Sequence, residues 1–151
     1  MDGTISPLNA MLPSVGSLDG GYSNISAGGH RDLASAAQQF IVIADETKIV
    51  KKLGRFPLPV EVIQLALPLV TRRLKDLGLN PVLRPAHKGT GPWITDEGNV
   101  ILDCHCGVID EPEELAAEIR NIVGVVEHGL FLGMATMALV AGEDGVRELQ
   151  P

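Results

Sequence analysis

Aromatic residues are scarce, with Phe, Trp and Tyr making up 3% of the 151 residues. The core must therefore be built from Val, Ile, Leu and Ala, and side chains that could stack on bases are too few for a single-strand platform. Basic charge is also short. The formal net charge is -7 and the pI about 5.0, which argues against a general nucleic-acid binder, because phosphate neutralisation needs a basic face. No apolar stretch approaches the ~20 residues of a membrane span. The first residues lack the basic start and long apolar core of a secretion signal. Cysteine is limited to Cys104 and Cys106. Two apart on a strand, they share a face, and they read as reduced thiols of a cytosolic protein. A zinc site would need a second ligand pair at proper spacing, and none is visible. The expectations are no metal, no cofactor, no nucleic-acid or membrane partner, and a cytoplasmic location.

What is present is a soluble globular composition, 45% hydrophobic and 21% charged, on a length suited to one ordinary domain. The chain is organised around residues 40–62, FIVIADETKIVKKLGRFPLPVEV. An unbroken apolar run at 40–44 reads as a buried strand. The polar turn Asp45-Glu46-Thr47 follows it, and then Lys48, Lys51, Lys52 and Arg55 with no acid among them. A buried strand ending in a basic turn suits an anionic small molecule. Pro57 and Pro59 forbid a helix and mark a boundary.

Ahead of this stretch, residues 1–29 read as a loose Gly/Ser-rich leader. Gly28-Gly29 before a short helix over 31–38 is compatible with a phosphate loop, but a flexible entry loop is the simpler reading. Beyond residue 60 the elements become regular. A strand at 60–63 leads to a helix over 65–77, with Leu67, Val70, Leu74 and Leu77 inward and Arg72, Arg73, Lys75 and Asp76 wet. Strands are expected at 80–84, 100–103 and 123–131. A second helix is expected after Asp110 as N-cap, with Glu111, Glu113 and Glu114 against its positive end. The run β-α-β-β-α-β over 60–131 is the ferredoxin-like, split β-α-β unit. A strand at 136–141 and a short helix at 145–149 remain, and they most simply return to the strand at 40–44.

The motifs FIVIADETK (40–48), LGRFPLPVEV (53–62), ITDEGNVILD (94–103), IVGVVEHGLF (122–131) and ALVAGEDGV (138–146) resemble the type A ribose-5-phosphate isomerases. They occur in that family's order and spacing. The resemblance implies an α/β (α+β) chain: a ferredoxin-like domain at 56–131, inserted in a truncated Rossmann-like α/β domain whose remnants are 30–55 and 132–151. It implies aldose-ketose isomerisation of ribose 5-phosphate to ribulose 5-phosphate in the pentose phosphate pathway, without a metal, by a homo-oligomer such as a homodimer. The chemistry needs a carboxylate base to move a proton between two carbons and positive or hydrogen-bonding groups to hold the oxyanion and the phosphate.

Residue by residue the carry-over is small. The lysine that ends the family's IAD-x-x-K pattern, a substrate contact, matches Lys48. The family's catalytic glutamate position falls on His30, its upstream lysine on Gly21, and the nearest carboxylate, Asp32, is out of register. The chain thus reads as the C-terminal half of such an isomerase, truncated and impaired. The alternative is a non-catalytic ferredoxin-like remnant that self-associates or binds a full-length partner. Lys51, Lys52 and Arg55 read as a solvated basic face. His87, His105 and His128 lack partners at useful spacing, with His128 a packed or edge position in a strand. Lys88-Gly89-Thr90-Gly91 lacks the strand-loop-helix context of a phosphate loop.

Overall fold

The computed structural model describes residues 35–50, 52–86 and 88–150. Among these, seven strands and two helices follow one another: β1 (Ile41–Asp45), β2 (Leu58–Val62), α1 (Leu67–Asp76), β3 (Pro81–Leu83), β4 (Val100–Cys104), α2 (Pro112–Arg120), β5 (Val125–His128), β6 (Met137–Gly142) and β7 (Gly145–Leu149). The leader over 1–29 and the first half of the helix expected over 31–38 lie outside the described residues; of its second half, residues 35 and 36 are helical.

β2 to β5 form one antiparallel sheet in the order β3-β4-β2-β5. With α1 joining β2 to β3 and α2 joining β4 to β5, this is the split β-α-β unit expected from the sequence. α1 exists because Leu67, Val70, Leu74 and Leu77 recur on one stripe; Val70 and Leu74 are fully buried while Arg72, Arg73, Lys75 and Asp76 stay wet. Each such buried side chain contributes roughly 1.5–3 kcal/mol. Val60, Val62, Val100, Leu102 and Ile119 meet them in one core. The opposite face of β2 and β4 carries Glu61, Ile101 and Asp103.

β2 begins at Leu58, so Pro59 lies inside a strand with neighbours on both sides rather than before it. The Pro59 carbonyl accepts the Gly129 amide at 2.9 Å. The missing N–H of Pro59 points the same way, so this last pairing, just past the end of β5, is held by one hydrogen bond instead of two.

β1 pairs parallel with β6, Ile41 against Met137 through Asp45 against Ala141, the return expected of the last segment. The stretch 145–149 is a strand, not the short helix the sequence suggested. It pairs antiparallel with β6, Gly142 facing Gly145. The two-residue turn Glu143-Asp144, followed by Gly145 at φ +118, closes a tight hairpin with the register unbroken. Five residues are in any case too few for a helix to stand without a partner. Asp110 does not cap α2 either. Glu111 occupies that position without a side-chain cap, because Asp110 is drawn into an ion pair with Lys52.

Candidate functional site

β1 and β6 run parallel, so their carboxyl ends lie side by side, and small molecules bind outside that end of an α/β sheet. Immediately beyond β1 the chain makes a 3-10 turn, Glu46–Lys48. Asp45 builds it: its carboxylate accepts the Thr47 amide at 2.9 Å and also the Thr47 hydroxyl. These bonds, the hydroxyl first, hold the Asp45 pKa below the usual carboxylate value. Gly142, at the end of β6, leaves room for the Glu46 carboxylate; a Cβ there would lie 2.6 Å from Glu46 Oε2. The turn therefore delivers Lys48 to the rim of the parallel pair. Its ammonium lies 5.4 Å from the centroid of the Phe56 ring.

Phe56 is held in place by the segment before it. The Ile109 amide donates to the Leu53 carbonyl at 2.9 Å, and Leu53 and Ile109 form a bridge. Gly54 takes φ +116 and passes so close to Gly107 that a Cβ would lie 1.5 Å from the Gly107 carbonyl oxygen. Only glycine fits both the conformation and the space. Phe56 presents its exposed ring to a second cation as well, with the Arg55 guanidinium 6.0 Å from the same centroid.

The other basic residues divide. Lys52 is exposed and tied to Asp110, whose hydrogen bond and charge raise the Lys52 pKa. Such an exposed pair contributes little stability. Lys48 and Arg55 form no ion pair among the described residues. Lys51, Gly21, His30, Asp32 and His87 lie outside the described residues. His105 is exposed and uses its backbone amide on Asn80. Lys88-Gly89-Thr90-Gly91 tips a loop closed by the Pro85–Pro92 bridge, and no helix follows it. Glu113 and Glu114 sit in the first turn of α2, where the sequence put them.

Buried polar groups lie away from this rim, and the burial of Glu61 escaped the sequence. Glu61 is fully buried and accepts from Thr95 Oγ1 at 2.9 Å and from Asn99 Nδ2 at 3.1 Å. His128 is 1% exposed. Its Nδ1 accepts the Leu130 amide at 3.2 Å, and its Nε2 lies 3.3 Å from Arg120 Nη2. Glu127 accepts from Arg120 Nη2 and from the His128 amide. The sequence signal for Glu61 was its place between Val60 and Val62 in an apolar strand. Cys104 is buried, and Cys106, partly buried, donates to the Cys104 carbonyl at 3.3 Å. Burial, then the nearby Cys106 and Asp103 charges, push the Cys104 thiol up to about 12; burial also raises Cys106. No helix among the described residues is long and apolar enough to cross a membrane.

The rim of β1 and β6 thus offers a lysine and an arginine over one ring, able to hold an anionic group. Residues 29–145 match the family model of ribose 5-phosphate isomerase A (phosphoriboisomerase A). The chain is 57% identical over 119 residues to the ribose-5-phosphate isomerase A of Roseiflexus castenholzii, covering 78% of this chain and 50% of that protein. A solved ribose 5-phosphate isomerase A from Methanocaldococcus jannaschii superposes with a TM-score of 0.78 at 42% identity, covering 83% of this chain and 55% of that one. A D-ribose-5-phosphate isomerase solved in complex with phospho-erythronic acid gives 0.78 at 34% identity, over 82% of this chain and 54% of that one. The chain spans about half the length of the curated relatives it matches first.

Proposed function

The chain belongs to the ribose 5-phosphate isomerase A family, and from that premise we propose that it carries part of the site that holds ribose 5-phosphate for aldose-ketose isomerisation. The observation that supports this is the position of Lys48 beyond the carboxyl ends of a parallel strand pair, held over Phe56. A cation there can neutralise the sugar's phosphate or the oxyanion that develops as a base moves a proton between the first two carbons. A relative whose structure was solved in complex with phospho-erythronic acid supports a phosphorylated sugar-like ligand.

The nearest carboxylates do not serve as the base in this reading. Asp45 is committed to Thr47 and Glu46 is packed against Gly142. We divide the chain into an inserted ferredoxin-like unit at 56–131 and α/β flanks at 30–55 and 132–151. The two free thiols support a cytoplasmic setting. Exposed Val82 and Leu83 on the edge strand β3 support self-association.

The test is an aldose-to-ketose assay with ribose 5-phosphate, beside a saturation-binding measurement on the same protein. Saturable binding with turnover at least ~10² below a full-length family enzyme is expected, the size of the loss when a general base is missing. Turnover equal to the full-length enzyme would overturn the impaired assignment. Absence of binding would overturn the functional one, in favour of a non-catalytic partner-binding module.

A further inference from the structure

Among the described basic residues of the stretch 40–62, Lys52 is tied to Asp110, and Lys48 and Arg55 are left without an ion pair. Both lie over the ring of Phe56, Lys48 at 5.4 Å and Arg55 at 6.0 Å from its centroid. Lys48 reaches the ring from the turn after β1, and Arg55 from the segment that enters β2. The Arg55 backbone is fixed from both sides. Gly54 before it is wedged against Gly107 at φ +116, and Pro57 beyond Phe56 has a locked φ. The Phe56 ring is 56% exposed, so it steadies the two cations on its surface more than it fills a core. Like charges brought to one ring repel, and an anion that bridges them relieves the repulsion. Lys48 does not bring a full charge to that anion. The Asp45 carboxyl nearby is held down by the Thr47 hydroxyl first and by the Lys48 charge as well, so part of the lysine's field is already used. A phosphate monoester carries about 1.5 to 2 negative charges at neutral pH, more than Lys48 alone can balance.

We propose that Arg55 is a specificity-determining residue of this site, the cation that reads the second negative charge of a phosphate monoester and so selects it over singly charged esters. An oxyanion that accepts a charge-assisted bond of about 2.7–2.9 Å from each side chain places both cations on one group. The planar guanidinium can present two parallel N–H donors to it, which an ammonium cannot. That the ligand is a sugar phosphate rests on the isomerase reading above, while the preference for a doubly charged tetrahedral anion does not.

The experiment titrates methyl phosphate, methyl sulfate and ribose 5-phosphate into the full chain at neutral pH and low salt, read by the NMR shifts of the Phe56 ring, and repeats each titration with Arg55→Gln and Arg55→Lys. The two methyl esters share one shape and differ by about one unit of charge. The wild-type chain is expected to prefer the phosphate at least ~10-fold (1.4 kcal/mol). Arg55→Gln is expected to lose at least ~10-fold for phosphate and about 3-fold for sulfate, because half the charge carries half the Coulomb energy. Arg55→Lys keeps the charge and is expected to keep the preference. Arg55 is exposed, so circular dichroism should be the same for all three proteins. A preference in Arg55→Gln equal to wild type overturns the proposal. So does a loss in Arg55→Lys as large as in Arg55→Gln, which makes the packing of the guanidinium on Phe56 the whole effect. So does a chain that binds neither methyl ester. Ribose 5-phosphate bound equally by wild type and Arg55→Gln overturns the role of Arg55 and leaves the isomerase reading standing. Methyl phosphate bound through Arg55, with ribose 5-phosphate not bound, sustains the role of Arg55 and overturns the isomerase reading alone.

Discussion

The Lys48 ammonium rests over the ring of Phe56, 5.4 Å from its centroid, and so ties the turn after β1 to the segment that enters β2. The contact joins the end of one sheet's strand to the approach to the other's, just ahead of Pro57. It also fixes where a flexible four-carbon side chain puts its charge.

Phe56→Leu is expected to weaken ribose 5-phosphate binding about 2- to 5-fold, the value of one exposed cation-π contact. The effect should appear in the binding constant and not in the far-ultraviolet circular dichroism. Unchanged affinity would show that the ring does not position Lys48.

Gly54→Ala is expected to destabilise the fold by about 3 kcal/mol or more, through strain at positive φ and collision with the Gly107 carbonyl. For a chain of this size the thermal midpoint should fall by roughly 6–12 °C. A shift of a degree or less would mean that the 53–56 segment moves freely against the 105–109 loop.

Much of this architecture could be read from the chain. Leu67, Val70, Leu74 and Leu77 announced α1 because burial imposes a 3.6-residue period, and the alternation of elements gave the four-stranded sheet. β7 was missed because Val146, Arg147 and Glu148 are all exposed, so no face of the strand is written in apolar residues; the Asp144-Gly145 pair was the turn signal available. Lys48 was legible as the end of a motif. Phe56 was not, because a lone exposed aromatic beside prolines carries no periodicity. The partners of Glu61 lie 34 and 38 residues away, and only the fold brings them together.

Thr95→Val should cost about 1–3 kcal/mol, since it removes a donor from the buried Glu61 carboxylate and an acceptor from the Asn99 amide while keeping the side chain's shape. Urea denaturation would show a lower midpoint with an unchanged slope. A midpoint equal to wild type would mean that Glu61 draws no net stability from Thr95.

Cys104 titrates from an ordinary 9.0 up to about 12 in the folded chain. Between those values the unfolded chain loses the proton and the folded chain keeps it, so stability falls as pH rises through that window and is fully present below it. The slope from this group is at most ~1.4 kcal/mol per pH unit. Cys104→Ala should flatten the decline above pH 9. A variant with the same alkaline profile as wild type would assign the loss to other groups.

The most direct test of the central assignment is a titration of ribose 5-phosphate into the wild-type chain and into Lys48→Ala, at low and at raised salt. The account predicts saturable binding to wild type that weakens with salt. It also predicts at least a ~10-fold loss in the variant, the value of one charge-assisted phosphate contact. Equal affinity in the two proteins would contradict it.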